Sequence, residues 1–325
     1  MWRKVAVVGD GRIVLEDEEE LAGWESVMLT VLALPRARGC LETWDTIGVG
    51  DGRLMSLLHV AAFVGSERMV DWVVERGGDL EVRISTGGTP LFVACRAGHE
   101  GVARRLVEAG ADATAKDLCG QNVLHAACKS GHLGLVRFVL HLGLLDVDEL
   151  DNGSDTPLIV ACKAGHLDVV KLLVEEAGAG AGCALDRNGG AWVRGLVEAA
   201  TEGHVGVVQE LLRMGVAVDG VDGVRNTALC RASWKGYLET VKVLLYQGNA
   251  DVDKKGFMGR TPLYWACMGG MEDVVKVLLA AGAAVGIANF DGVTPLDIAR
   301  RKGWDGVVAV LEEWVGGGDV GGVNE

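Results

Sequence analysis

Histidine recurs at nearly regular intervals along this sequence, and imidazole is both a common metal ligand and a common acid or base in catalysis. His99, His132, His166 and His204 form one series in which only the last step is longer than the others, and His59 and His125 lie two of the shorter intervals apart. A metal site needs ligands that converge on one point, whereas such regular spacing distributes the imidazoles along a line. We therefore predict that these side chains make hydrogen bonds in loops and turns, with metal binding as the minority alternative.

Cysteine shows a similar regularity. Cys95, Cys128 and Cys162 follow one another at the same interval as the histidines, and Cys267 occupies an equivalent position. Packed helices lie about 8–10 Å apart, whereas the Cα atoms of a disulfide lie within roughly 7 Å, so neighbouring members are not expected to bridge. The chain has no Cys-x-x-Cys pair. Free thiols in a core indicate a reducing compartment, and we predict the cytoplasm, with the nucleus as the alternative.

Other catalytic arrangements are missing from the sequence. No Ser/His/Asp or Cys/His combination falls outside the periodic pattern. The stretch from Val5 to Gly11 could be a strand ending in Gly9-x-Gly11, a fragment of a dinucleotide-binding motif. The third glycine and the following helix are missing, so a plain turn is preferred. We assign no catalytic residue, no cofactor and no metal ligand, and predict that the chain is not an enzyme.

These histidines and cysteines belong to a block of sequence that recurs along the chain. Strong copies begin Thr-Pro-Leu, and weaker copies fill the gaps between them. The eight blocks start at Ser56, Thr89, Asn122, Thr156, Arg194, Thr227, Thr261 and Thr294. A glycine lies nine positions after every start, at Gly65, Gly98, Gly131, Gly165, Gly203, Gly236, Gly270 and Gly303. A period of about 33 residues, with one longer step before Arg194, indicates a repeat architecture.

Each residue type that recurs in the block has a physical role in forming a helix. Seven of the eight starts are Ser, Thr or Asn, whose side-chain oxygens cap the first N–H groups of a helix. Proline at the next position loses no hydrogen bond, and the glycine nine positions after the start permits a left-handed end to the helix. Apolar residues at helical spacing predict a second helix, followed by a polar turn or short hairpin.

A unit of this length with Thr-Pro-Leu-His and Gly-His motifs resembles the ankyrin repeat. The resemblance covers residues 51–315, with units starting near residues 51, 84, 117, 151, 189, 222, 256 and 289. It implies an all-α solenoid, in which helix pairs stack and are joined by β-hairpin-like loops. The fifth unit departs most, because Arg194-Gly195 replaces Thr-Pro after a Gly/Ala-rich insertion, Gly178 to Gly190. We expect a hinge or bulge there.

The two ends of the chain do not match the repeat. Residues 1–50 form an N-terminal non-repeat segment, in which Trp24 to Leu34 is predicted to be a helix that caps the first unit. Residues 316–325 are predicted to be a Gly-rich flexible tail. The formal net charge of -14 and the pI near 5.0 argue against nucleic acid as a partner. We expect no membrane insertion and a monomeric array.

The resemblance also implies where a partner binds, because in ankyrin-repeat proteins the first helices and loop tips form the concave side. The residue seven positions after each start forms a row there: Phe63, Arg96, Lys129, Lys163, Thr201, Trp234, Met268 and Arg301. The row contains four bases and no acid, and loop positions add Phe257, Met258 and Phe290. We expect an acidic or mixed segment of another protein, with an apolar side chain near Trp234 and Met268. Ordinary packing and surface roles for these residues remain the alternative.

The sequence therefore favours a non-catalytic module for protein–protein interaction, an adaptor or scaffold. A regulatory or assembly-chaperone subunit of a larger complex would use the same surface and is the first alternative. A second alternative is an ankyrin-containing signalling enzyme subunit with its chemistry in the N-terminal non-repeat segment. That segment is too short for an ordinary catalytic domain.

Overall fold

The computed structural model describes residues 57–175 and 190–317, together with the backbone of four short strands before residue 56. The chain forms two compact units, Met1–Pro157 and Leu158–Glu325. In the part of the chain described, no helix is both long and apolar enough to cross a membrane.

The residues before the first helix form a small sheet in the first compact unit. Its strands are β1 (Ala6–Val7), β2 (Ile13–Leu15), β3 (Ile47–Val49) and β4 (Arg53–Met55). The spatial order is β1-β2-β3-β4, with β2 and β3 parallel and the two outer pairs antiparallel. A strand within Val5 to Gly11 is thus present, whereas the helix predicted at Trp24 to Leu34 lies outside the described residues.

Helix pairs make up the rest of both units. The first unit contains α1 (Leu57–Val64), α2 (Glu67–Val74), α3 (Pro90–Ala97), α4 (Glu100–Glu108), α5 (Val123–Ser130) and α6 (Leu133–His141). The second contains α7 (Pro157–Ala164), α8 (Leu167–Glu175), α9 (Gly190–Glu202), α10 (Val205–Arg213), α11 (Ala228–Lys235), α12 (Leu238–Tyr246), α13 (Pro262–Gly269), α14 (Glu272–Ala280), α15 (Pro295–Lys302) and α16 (Asp305–Gly317). The predicted all-α solenoid of helix pairs is confirmed.

The first helix of a repeat begins and ends as the sequence predicts. Thr89 Oγ1 accepts a hydrogen bond from the Phe92 N–H at 3.3 Å, with Pro90 in the first turn. Gly98 then ends the helix in the left-handed conformation, with φ of 83°. Capping therefore determines where such a first helix begins and ends.

The loops between repeats are narrow hairpins. In the first unit the Asp117 N–H donates to the Gln121 carbonyl at 2.9 Å, and in the second the Asp222 N–H donates to the Asn226 carbonyl at 3.0 Å. A β-turn lies inside each hairpin, where the Gly120 N–H donates to the Asp117 carbonyl at 3.0 Å and the Arg225 N–H to the Asp222 carbonyl at 2.8 Å. The predicted hairpin-like loops are thus present.

The core lies between first helices of successive repeats and the second helices behind them. Within the first unit α1 packs on α3 and α3 on α5, and within the second α9, α11, α13 and α15 pack in turn. Ala94 and Cys95 of α3 and Leu106 of α4 are fully buried. Burial of each leucine stabilises the fold by about 1.5–3 kcal/mol. Small residues on the first helices allow this close stacking, as predicted.

The fifth repeat differs from its prediction at the helix start. Helix α9 begins at Gly190, one turn before Arg194, and has 13 residues. Its added turn buries Ala191, Trp192 and Val193, and this burial offsets the missing Thr-Pro cap. A Cβ at Gly195 would lie 3.2 Å from Cys162 Sγ, so a small residue suits the close packing there. Most of the insertion lies outside the described residues, and a hinge there stays a prediction.

The C-terminal helix also extends beyond its predicted end. Helix α16 runs to Gly317, whereas the sequence predicts a flexible tail from residue 316. Apolar Trp314 and Val315 continue the helix in spite of the glycines that follow them. Residues 318–325 lie outside the described part of the chain.

Candidate functional site

The eight residues predicted to line a binding surface lie in the last turn of the eight first helices. We call Phe63, Arg96, Lys129, Lys163, Thr201, Trp234, Met268 and Arg301 the groove row. Six of them are exposed, and Thr201 and Met268 are half-buried. The structure thus places the row on the surface, with three members in the first unit and five in the second.

The row in the first unit has one aromatic residue followed by two bases. Phe63, Arg96 and Lys129 are all exposed. The Phe63 carbonyl accepts a hydrogen bond from His99 Nε2 of the next repeat at 2.9 Å. This bond holds the end of α1, because a carbonyl in the last turn of a helix has no partner within the helix.

The row in the second unit begins with a base and continues to apolar side chains. Lys163 Nζ lies 3.8 Å from Glu198 Oε2 of the next repeat, and both groups retain contact with solvent. The Lys163 carbonyl accepts from His204 Nε2 at 3.0 Å, the same relation that joins Phe63 to His99. The last row member, Arg301, is exposed on α15.

The apolar part of the second unit contains a contiguous cluster. The rings of Trp234 and Trp265 lie 5.8 Å apart, at 53° to one another. Trp234 is 38% exposed, whereas Trp265 is only 9% exposed. Met268 is half-buried one turn after Trp265, and its neighbour Gly269 is so close to the Trp234 carbonyl that a Cβ there would lie 2.8 Å from it. We call Trp234, Trp265 and Met268 the anchor cluster.

Two hairpin tips of the second unit also present apolar side chains. Phe257 is exposed, and Phe290 is the most exposed of the large apolar residues described, at 77%. The Phe290 N–H donates to the Met258 carbonyl at 3.1 Å, which joins the two tips. Met258 has a positive φ of 57°, a conformation uncommon for a residue other than glycine. The tips therefore offer a second apolar surface in the same unit.

The histidines act within the scaffold, as predicted. His59 Nε2 lies 3.0 Å from the Gly88 carbonyl, and His125 Nε2 lies 3.1 Å from the Asp155 carbonyl. Burial lowers the pKa of both imidazoles, and their backbone hydrogen bonds oppose that shift only in part. With the bonds of His99 and His204, the prediction of hydrogen bonds in loops and turns is confirmed at four positions.

The titratable side chains of the described residues do not converge on a metal site. They contain no group of three or more His, Cys, Asp or Glu side chains placed to hold a metal ion. Burial raises the pKa of the Cys95, Cys162 and Cys267 thiols to about 12. These thiols are therefore protonated at neutral pH and poor nucleophiles.

Two residues beside the groove row were missed by the sequence analysis. Arg260 precedes the cap of α13, and its guanidinium carbon lies 4.9 Å from the centre of the Trp265 ring. A signal was available, because the position of Trp265 holds Val93 and Val160 in other repeats. The replacement of valine by the much larger tryptophan at this position indicates that the surface of this repeat differs from that of the others.

Comparisons with known proteins agree with this architecture. A family model described as ankyrin repeats (3 copies) matches residues 45–117, 111–187, 193–256 and 249–317. The crystal structure of the human ASB11 ankyrin repeat domain aligns with a TM-score of 0.58 and 24% identity, covering 70% of this chain and 99% of that chain. A search of curated proteins found no match.

At this identity the likeness to the solved structure establishes the fold alone. The family-model matches extend over most of the sequence and coincide with the helix pairs. Ankyrin repeats are generally modules for protein–protein interaction, without catalytic activity. The chain therefore belongs to the ankyrin-repeat family.

Proposed function

We propose that this chain is a non-catalytic adaptor or scaffold, which binds a segment of another protein along the groove row and hairpin tips. The segment is acidic or mixed in charge, and one of its apolar side chains packs near Trp234 and Met268. The chain acts as a monomeric array in the cytoplasm or the nucleus, without a cofactor, a nucleic-acid partner or membrane insertion.

The anchor cluster is the observation that carries this proposal. A tryptophan that leaves 38% of its surface in water and packs at a tilt against a buried second tryptophan supplies an apolar platform. Such aromatic and methionine side chains are enriched in the centres of protein interfaces. Phe257 and Phe290 extend the apolar surface of the same unit to the hairpin tips.

Charge supports an acidic or mixed partner segment. Arg96, Lys129, Lys163 and Arg301 are all exposed, and the groove row contains no acid. The whole chain carries a net charge of -14, whereas the charged positions of the row are all bases. Complementary charge of this kind accelerates association and selects among partners.

A regulatory or assembly-chaperone subunit would use the same surface, and proximity labelling distinguishes it from an adaptor. The chain, fused to a labelling enzyme, is compared with a Trp234→Ala, Met268→Ala variant at equal expression. An adaptor labels one stoichiometric partner, whose labelling is lost in the variant. A chaperone labels many newly synthesised proteins.

A matched control shows that the loss belongs to this surface. Trp314 lies on helix α16 and is 49% exposed, comparable to Trp234, but it is not part of the groove row. A Trp314→Ala variant should retain the partner. Labelling that is unchanged in both variants would contradict the proposed surface, and catalytic turnover by the purified chain would contradict a non-catalytic function.

A further inference from the structure

Arg260 lies against the anchor cluster, in contact with the ring of Trp265. Its guanidinium carbon is 4.9 Å from the centre of that ring and 5.4 Å from the centre of the Tyr264 ring. Both distances are within the range of a cation–π interaction. Because Trp265 also packs on Trp234, a single indole connects the arginine to the exposed platform.

This arginine has no carboxylate partner within the described residues. Its Nη2 group contacts only the Met258 sulfur, at 3.7 Å, and its Nε is shielded from solvent without an acceptor. A thioether is a weak acceptor, so the hydrogen-bonding capacity of the guanidinium is largely unused. Within the part of the chain that the structure describes, no hydrogen bond of the Nη1 group to a protein acceptor is found.

Two other arginines of the described residues, one stacked on a ring and one half-buried, are paired with acids. Arg104 lies over the Phe138 ring, but it also donates to Glu100 at 2.6 Å. Arg231, on the first helix of the preceding repeat, donates to Asp222 of the hairpin before that helix at 2.8 Å. Arg260, in contrast, lies against two rings without an acid partner among the described residues.

An arginine oriented by two rings and lacking an acceptor is suited to bind a carboxylate. The rings limit the motion of the guanidinium, so that less side-chain entropy is lost when a ligand binds. Arginine donates two parallel hydrogen bonds to a carboxylate, and such charge-assisted bonds are the stronger ones in proteins. A positively charged or purely apolar ligand would leave these donors unsatisfied.

We propose that Arg260 determines the specificity of the surface by binding an Asp or Glu side chain of the partner segment. This inference rests on the proposed function. The indole of Trp265 is the one side chain that lies between Arg260 and Trp234. In an extended partner segment, the acid that binds Arg260 and the apolar residue that binds Trp234 are therefore about two or three residues apart. The partner motif is thus an acid followed or preceded at that spacing by a large apolar side chain.

Selection from a random peptide display library tests this proposal without knowledge of the partner. The full chain and an Arg260→Gln variant are each used as the immobilised target. Peptides selected by the wild-type chain should share an acid two or three positions from an apolar residue. Peptides selected by the variant should retain the apolar residue and lose the preference for an acid.

The strongest selected peptide and its Asp→Asn or Glu→Gln version are then titrated against both proteins. Removal of the acid should weaken binding to the wild-type chain by roughly tenfold to a hundredfold, the strength of a charge-assisted hydrogen bond. It should leave binding to the Arg260→Gln variant unchanged. An Arg260→Glu variant should prefer the same peptide with Lys or Arg in place of the acid, which a merely structural role would not produce.

Control variants separate binding from folding. Arg104→Gln removes a stacked arginine that already has an acid partner, so peptide affinity should not change. Arg260→Lys restores the charge and should recover part of the acid preference. Apolar enrichment without an acid, or an equal loss with both proteins, would overturn the role of Arg260 alone. Failure to select any peptide would contradict the proposed function itself.

Discussion

The indole of Trp304 lies directly over Gly270, the glycine that ends helix α13. A Cβ at position 270 would come within 2.8 Å of the ring, and the residue has a left-handed φ of 74°. The same indole donates from Nε1 to the Met268 carbonyl at 3.3 Å. Trp304 therefore occupies the place that His99 and His204 take in earlier repeats, and it holds the end of the helix that carries Met268.

Gly270→Ala should destabilise the chain, because alanine is strained in the left-handed conformation and its Cβ would displace the indole. The expected loss is about 1–2 kcal/mol of unfolding free energy from the backbone alone. Urea unfolding followed by circular dichroism measures it. Gly286→Ala is the matched control, since nothing lies within 4 Å of a Cβ there and its φ is not left-handed. Equal effects would contradict this account.

Stability should fall as the pH falls from about 7.5 to about 5.5. Burial places the folded-state pKa of His59 and His125 below the unfolded value of about 6.5. The unfolded chain therefore binds protons that the folded chain does not, and the stability present above about pH 6.5 is lost on acidification. Each histidine contributes at most about 1.4 kcal/mol per pH unit to the slope.

Glutamine variants attribute this pH dependence to the two imidazoles. His59→Gln and His125→Gln should each flatten the slope, and the double variant should flatten it further, whatever stability each loses near neutral pH. Carboxylates with a lowered pKa, such as Glu149 and Asp151, act in a more acidic range. A slope unchanged in the double variant would refute the assignment.

Thiol reactivity should distinguish buried from exposed cysteines. Iodoacetamide at mildly alkaline pH should modify exposed Cys119 in the folded chain, because a thiolate in contact with solvent is the reacting species. Cys95, Cys162 and Cys267, whose pKa burial raises to about 12, should react only after denaturation. Peptide mass spectrometry measures each site. Rapid labelling of Cys95 in the folded chain would show that its core opens.

The repeats could be predicted from sequence because one signal appears many times in phase. Thr89, Pro90 and Gly98 determine the two ends of a helix through local chemistry, and the same chemistry recurs at Thr261. The start of α9 could not be predicted in this way. No Thr-Pro cap precedes it, and burial of Trp192, a tertiary effect, extends the helix to Gly190.

For the candidate site, the sequence predicted which positions form a surface row but not the contacts between their side chains and neighbouring residues. Spacing, together with the resemblance to ankyrin repeats, placed Trp234 and Met268 in one surface row, and the structure shows one exposed and the other half-buried. The stacking of Arg260 on Trp265 depends on how a loop and a helix pack, which no spacing rule contains. For the same reason, the sequence did not reveal that Lys163 lies beside Glu198.

Reversal of the basic part of the groove row should weaken binding of a native partner. Arg96→Glu, Lys129→Glu and Lys163→Glu together replace attraction for an acidic segment by repulsion, which should lower the association rate at least about tenfold. The dependence of the remaining affinity on salt should become flatter. Surface plasmon resonance at several salt concentrations measures both quantities.

A second triple variant controls for net charge. Arg104→Glu, Lys242→Glu and Lys276→Glu change the charge by the same amount on the second helices, away from the row. It should bind the partner at nearly the wild-type rate. If both triples slow association equally, the effect belongs to the total charge of the chain and not to the row.

The affinity of the Trp234→Ala variant for the partner recovered by proximity labelling tests the central claim most directly. Removal of a tryptophan at the centre of an interface costs about 2 kcal/mol or more, so the dissociation constant should rise at least roughly thirtyfold. Trp314→Ala, of similar exposure on helix α16, should leave it unchanged. Equal affinities of wild type and the Trp234→Ala variant would contradict a binding surface at the anchor cluster.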